Sequence, residues 1–168
     1  KGYVMDKFYH FESNYGIIAL SCKNNALNGC KILSDFDAVF KNDIYIPKVI
    51  NSAYEELMQY FAGELKKFTV KLEYNGTKFQ NSVWNEVRNI KYAEFKTYGE
   101  IANSIGKRKA YRAVGSALSK NPLLIFIPCH RVYGLKEKYH YIAGKSIKKE
   151  LIKLESEGFN DIRVKEHN

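Results

Sequence analysis

At 168 residues and 45% hydrophobic content, the chain is long enough for one full-sized domain or two small ones sharing an interface, and it can supply a core. No apolar run approaches the roughly 20 residues that cross a bilayer, and the N-terminus lacks the charged, apolar and small-residue order of a secretory leader. The expectation is therefore a globular protein of the cytoplasm, nucleoid-associated or, in a eukaryote, nuclear, whose net charge of +9 is concentrated: Lys91 to Glu150 holds 13 Lys or Arg against 4 Asp or Glu, and the signs balance elsewhere. That segment is either a polyanion-binding surface or a solvated basic face.

Lys1 to Val4 precede the first methionine, Met5, and carry no functional argument. Short β runs are expected at Phe8 to Phe11, Tyr15 to Cys22 and Cys30 to Leu33, with breaks at Asn14 and Gly16 and over Lys23 to Gly29, giving a small antiparallel sheet. Three cysteines without a secretion signal fit reduced thiols. Cys22 and Cys30 fall in this apolar region as structural residues, their spacing with His10 does not support zinc, and no metal is expected. Pro47 then opens a helix over about 48–62, with Val49, Ile50, Ala53, Leu57, Tyr60 and Phe61 at helical spacing and Gly63 as its stop. Lys71 to Gly76 predicts a last strand and turn. The boundary between an N-terminal α/β lobe, 5–75, and a C-terminal lobe, 76–168, is expected at Asn75-Gly76.

The second lobe reads as helical, so the fold class is α+β. Thr77 caps a helix that buries Phe79, Val83, Trp84, Val87 and Ile90 and ends near Asn89. Thr97 and Glu100 form a capping box before a stripe of Tyr98, Ile101, Ala102 and Ile105 that Gly106 terminates. A second stripe, Ala110, Ala113, Val114, Ala117 and Leu118, stops before Asn121-Pro122. Two short helices joined by a tight glycine-containing turn predict a helix-turn-helix over about 97–120, although any helical hairpin shares this pattern. Lys107, Arg108, Lys109 and Arg112 lie in the turn and on the non-core side, and Gly115 and Ser116 keep the second helix slim enough to approach a groove.

After the apolar run Leu123 to Ile127 comes Pro128-Cys129-His130-Arg131-Val132. A thiol near its ordinary pKa of about 8.5 is only a few per cent thiolate at neutral pH, so a nucleophilic cysteine needs a base, a positive field, or both. His130 and Arg131 are adjacent candidates. His130 reaches the sulfur only if the chain turns at Pro128 or a water bridges the two.

In order along the chain stand Gly76-Thr77, Phe79-Gln80, Val83-Trp84, Tyr98-Gly99-Glu100-Ile101-Ala102, Ile105-Gly106, Ala113-Val114-Gly115, Asn121-Pro122 and Ile127-Pro128-Cys129-His130-Arg131-Val132. With these residues the sequence resembles the O6-alkylguanine-DNA alkyltransferase family from about Phe8 to Gly158. The resemblance implies direct reversal of damage in double-stranded DNA by a monomer without cofactor or membrane association. The second helix of the helix-turn-helix enters the minor groove, O6-alkylguanine (and O4-alkylthymine) is flipped into a pocket, and Cys129 takes the alkyl group in a single-turnover displacement.

The roles it implies follow residue by residue. His130 and Glu155, through a bridging water, draw the proton from sulfur. Tyr98 rotates the phosphate beside the lesion and offers its hydroxyl to the departing base, and Asn121 braces the nucleophile's turn. Arg112 fills the gap left by the flipped base. The implied DNA face adds Lys107, Lys109, Ala110, Ala113, Gly115 and Arg131 to Tyr98 and Arg112. The implied pocket comprises Val132, Tyr141, Ile142 and Ala143, with the Val132 and Cys129 carbonyls accepting from the exocyclic amine. The sequence departs from the family at Ile142-Ala143-Gly144, where a Ser-Gly-Gly-like segment is common. A side-chain hydroxyl toward the guanine oxygen is thus replaced by the Ile142 N–H, and the added bulk narrows the pocket. Lys136 and Lys138 in the loop Tyr133 to His140 are either DNA contacts or solvating charges. The alternative implied by the same lineage is a non-catalytic lesion-recognition protein, in which another residue replaces the cysteine.

Overall fold

The computed structural model describes residues 6–33, 41–135 and 141–165, with side chains to Gly158 in the last helix. Lys1 to Met5, Lys136 and Lys138 lie outside the described residues. The first three strands, β1 (Phe8–Ser13), β2 (Gly16–Lys23) and β3 (Ala26–Leu33), form an antiparallel meander. The third strand begins earlier than the expected Cys30. Asn24 and Asn25 both take positive φ, 50° and 57°, so they close a two-residue turn of the kind that matches strand twist, and pairing resumes at Ala26. The expected final strand over Lys71 to Gly76 is a single parallel bridge, Leu72 to Leu27.

That bridge has a function in the architecture. The outer edge of β3 is closed by Leu72 at one end and by the run before Cys129 at the other, through Cys30 N–H to Pro122 O (2.9 Å) and Leu124 N–H to Cys30 O (3.1 Å). Pairing the edge removes orphan backbone groups and fixes the approach to the nucleophile motif. Helix α1 (Lys48–Phe61) lies on β2 and β3 with Val49, Ile50, Ala53, Leu57 and Tyr60 buried, and it stops at Gly63, φ +76°. Each fully buried Ile or Leu contributes about 1.5–3 kcal/mol by leaving water, so this stripe anchors the helix.

Helix α2 (Lys78–Arg88) starts with the capping box of Thr77 and Gln80. Gly76 precedes it because a β-carbon there would sit within 2.5 Å of the Trp84 ring. The Trp84 indole N–H donates to Ala117 O at 2.9 Å, tying α2 to the helix-turn-helix. Strand β4 (Lys96–Thr97) leads into α3 (Tyr98–Ser104) through the expected Thr97–Glu100 capping box. Gly106, φ +72°, makes the turn, and α4 (Tyr111–Leu118) follows. Its apolar stripe needs correction. Val114, Ala117 and Leu118 are buried, but Ala113 is exposed and Ala110 lies half-buried ahead of the first turn, so these two alanines leave the outer face small instead of filling the core.

A two-residue strand, β5 (Val132–Tyr133), pairs in parallel with β4, and α5 (Lys145–Lys165) closes the fold. The core is continuous from the sheet through α1, α2, α3 and α4 to Cys129 and Leu151. Among the described residues no helix is long and apolar enough to cross a membrane.

Candidate active site

Pro128, at φ −79° and ψ 61°, turns the chain out of its apolar run, and Cys129–Arg131 form one 3₁₀ turn. The turn that the sequence requires is present, and it buries all three side chains. Asn121 braces it: Nδ2–H donates to Ile127 O (2.9 Å) and to Cys129 Sγ (3.0 Å), while Oδ1 accepts from Leu123 N–H (2.9 Å). Burial pushes the Cys129 thiol up to about 11. The Asn121 donor, the charge of Lys148 and the Tyr141 hydroxyl act in the opposite direction, toward thiolate.

His130 Nε2 lies 2.7 Å from Glu155 Oε1, and both side chains are wholly buried. An ionised carboxylate only accepts, so Nε2 carries the proton and Nδ1 keeps its lone pair. Nδ1 is buried with no protein partner among the described residues. Burial lowers the His130 pKa against the opposing pull of Glu155, which leaves the ring neutral and able to accept a proton. Burial would raise the Glu155 carboxyl, but His130 and Arg131 together hold it well below the usual carboxylate range.

Arg131 is the main correction to the expected DNA face. Its Nε lies 3.0 Å from Glu155 Oε2, its Nη2 3.0 Å from Oε1, and Nη1 donates to Ile90 O at 2.8 Å. With its guanidinium spent on Glu155 and only 6% of its surface exposed, Arg131 does not face DNA; it balances the buried carboxylate. Ala93, held at φ +60°, contributes its N–H to Glu155 Oε2 at 3.0 Å.

Three contributors were not singled out as site residues in the sequence. Tyr60, read as core, donates to Glu155 Oε1 at 2.6 Å. Lys148 is fully buried and donates to Val132 O at 2.6 Å, with burial pushing its pKa down to about 8. Its signal was legible in retrospect, since Lys148, Leu151 and Glu155 share the inward stripe of α5 at i, i+3 and i+7. Ala93 had no signal, because a left-handed alanine looks like any other.

Tyr141 is buried edge-on to His130, with ring centroids 6.3 Å apart, and its hydroxyl has no hydrogen-bond partner of ordinary geometry among the described residues. Tyr98, Gly115, Cys129, Tyr141 and Ile142 line a narrow cleft of about 10 Å³, enough for about one water. Ile142 is half-exposed at its mouth and Ala143 half-buried beside it. Gly115 faces the Tyr98 ring at ordinary contact distance from where a β-carbon would lie. Lys107, Lys109 and Arg112 are exposed around the turn and the start of α4, well outside the buried cluster, with the Arg112 guanidinium 5.9 Å from the Tyr111 ring.

A family profile described as 6-O-methylguanine DNA methyltransferase, DNA binding domain, matches residues 78–157. The chain is 44% identical over 148 residues to a methylated-DNA–protein-cysteine methyltransferase of Methanosarcina acetivorans, covering 86% of this chain and 95% of that protein. An inducible protein of the same name from Bacillus subtilis is 44% identical over 110 residues, 65% of this chain and 62% of the relative. The fold matches the crystal structure of Mycobacterium tuberculosis OGT in complex with DNA with a TM-score of 0.79 and 36% identity, over 90% of this chain and 93% of that one.

Proposed function

The chain belongs to the methylated-DNA–protein-cysteine methyltransferase family, and from that membership we propose that Cys129 is the acceptor onto which it draws the alkyl group of O6-alkylguanine in DNA. The protein repairs DNA by direct reversal and acts once, because a thioether has no route back to thiol. The observation that supports the assignment of Cys129 is its cradle: an Asn121 N–H on sulfur beside a histidine whose Nε2 is held by Glu155 and whose Nδ1 has no partner among the described residues.

In the mechanism, the thiol proton passes through a bridging water to His130 Nδ1, and Glu155 stabilises the imidazolium that forms. The thiolate attacks the alkyl carbon; the S–C bond forms as the C–O bond breaks, and the electron pair stays with guanine. The Tyr98 hydroxyl supplies the departing base with a proton. Asn121 and Lys148 hold the sulfur's charge until the carbon is bound.

On the DNA side, Lys107 and Lys109 meet phosphates, and the small outer face of α4, Ala110, Ala113 and Gly115, lets it approach the minor groove. Arg112 fills the space left by the flipped base. Tyr141 is the wall on which that base stacks, the Ile142 N–H meets its oxygen, and the Cys129 and Val132 carbonyls accept from its amine. Val132 O already accepts from Lys148, and a carbonyl retains a second lone pair for this purpose. Because the cleft holds only about one water, Ile142 and Ala143 must give way for a purine, and they set which alkyl groups fit. O4-alkylthymine is a second substrate of the same geometry. The N-terminal lobe, 5–75, supports the acceptor lobe, 76–168, in a cytoplasmic monomer.

The test is mass spectrometry of the protein and its peptides after incubation with an oligonucleotide containing O6-methylguanine. One methyl on the Cys129 peptide is the expected result. Tight binding with no mass change would instead assign lesion recognition, and repeated turnover would assign hydrolysis.

A further inference from the structure

We propose that Tyr60, on α1, is a positioning residue for alkyl transfer: its hydroxyl tempers how strongly Glu155 holds the His130 proton and so sets the pH above which His130 is a free base. The inference rests on Cys129 being the acceptor and His130 its base. The Tyr60 hydroxyl donates to Glu155 Oε1 at 2.6 Å, and its oxygen lies 3.3 Å from His130 Nε2, which is 2.7 Å from the same carboxylate oxygen. The three atoms make a closed triangle. Burial and then the Glu155 charge raise the phenol pKa well above its ordinary value, so Tyr60 keeps its proton and directs it to the carboxylate.

Only a lone pair of the phenol oxygen then faces Nε2. A lone pair attracts Nε2–H and repels a bare nitrogen, so it reinforces the tautomer that Glu155 imposes. The remainder of the ring packs against Phe61, Phe68 and Tyr92, a role phenylalanine would fill equally well. The hydroxyl therefore has its use at the His130–Glu155 pair. The first lobe of the chain, which carries none of the expected site residues, thereby takes part in proton transfer.

The direction of the effect follows from the surrounding charges. His130 faces Glu155 and Lys148 from α5, Arg131 and Cys129 on its own turn, Tyr141 at its edge, and Tyr60 with Tyr92 behind it. Glu155 is the one carboxylate among these groups, and the phenol withdraws part of its charge. Without that hydroxyl, Glu155 stabilises imidazolium more strongly and His130 must reach a higher pH before it is neutral.

Single-turnover methyl transfer from an O6-methylguanine oligonucleotide, followed from about pH 5 to about pH 9, tests this with wild type, Tyr60→Phe and protein carrying 3-fluorotyrosine at position 60. For Tyr60→Phe the acid limb should move up by about half a pH unit, because Glu155 regains the charge that the phenol withdrew. The fluorinated phenol, a stronger donor of the same shape, should move the limb down, and packing alone gives no such graded response. Nitrogen-15 NMR of His130 should show Nε2–H in the neutral ring of both proteins and a midpoint for ring protonation that lies higher in Tyr60→Phe than in wild type.

An unchanged acid limb and an unchanged midpoint for His130 protonation in both variants would overturn the proposal. Should Tyr60→Phe fail to fold, the fluorinated protein against wild type still decides it. If wild type transfers no methyl at all, the functional reading fails, while the nitrogen-15 titration of His130 still reports on Tyr60.

Discussion

Arg131 and Arg112 are the same residue type in the same basic segment, and the protein uses them in opposite ways. Arg131 is inside, locked onto Glu155 and Ile90 O, in a cluster where His130, Lys148 and Tyr60 have partners at 2.6 to 3.3 Å. Arg112 is outside with Lys107, Arg108 and Lys109, exposed, with no carboxylate partner among the described residues. Buried charges act through geometry: each costs desolvation that its fixed partners must offset. Exposed charges act through field, which survives loss of exact position but is screened by salt. The proposed function gives chemistry to the first group and affinity for polyanion to the second, and breaking each should have a different signature.

The largest effect is expected at Glu155. Glu155→Gln leaves Arg131 buried without its counter-charge, at a cost of about 3–5 kcal/mol, read as a drop in the urea midpoint. It should also slow methyl transfer about 100-fold or more, since the His130 proton loses its anchor. The pH dependence has a definite sign. Because the folded state holds the Glu155 pKa below its unfolded value, its stabilisation is complete above about pH 5 and is lost as pH falls below about 4. The stability gap between wild type and Glu155→Gln should shrink in acid; a gap that persists there would mean Glu155 acts by packing and not by charge.

Lys148→Met comes next. Removing the ammonium takes away one of the influences that lower the thiol's pKa, and each pH unit of further rise costs tenfold in thiolate, so transfer near neutral pH should fall about tenfold. Burial has brought Lys148 itself to about 8, so in wild type its support for thiolate fades as pH rises through that value. The rate should bend there, and the bend should be missing in the methionine variant.

The two groups also differ in how far the sequence revealed them. Caps and punctuation were legible because their physics is local: Thr77 as a cap, Thr97 with Glu100 three residues on, and Gly63 and Gly106 at helix ends behave as expected. The motif at Cys129 was legible through its ordered neighbours. Arg131 was misread because adjacent residues in a 3₁₀ turn point in directions that no one-dimensional period encodes. Tyr60 and Lys148 were hidden for a related reason: a tyrosine on an apolar stripe reads as core and a lysine on a lysine-rich helix as surface. Only contact between α1, α5 and the nucleophile turn makes them part of one site.

Arg112 is the test of position on the outer face. Arg112→Ala should leave the urea midpoint within about 0.5 kcal/mol of wild type, as surface substitutions do. It should slow repair in duplex DNA several-fold more than reaction with free O6-methylguanine base; equal slowing would remove it from base flipping.

The smallest effects are expected at Lys107 and Lys109, and they make the clearest contrast with the buried cluster. Each exposed lysine that neutralises one phosphate releases about one counterion, so Lys107→Ala or Lys109→Ala should flatten the slope of log affinity against log salt by about 1. Affinity should fall only a few-fold at physiological salt and equally on lesion-free and lesion-containing duplex, because a phosphate contact carries no information about the base. Transfer from the free base should keep its wild-type rate and show little salt dependence, since buried partners are screened far less. Measuring both reactions across one salt series separates the two groups of charges in a single experiment. If free-base transfer weakens with salt as steeply as duplex binding does, the buried cluster is exposed to solvent during the reaction, and the division between geometry and field would have to be redrawn around an opened state of Ile142 and the cleft.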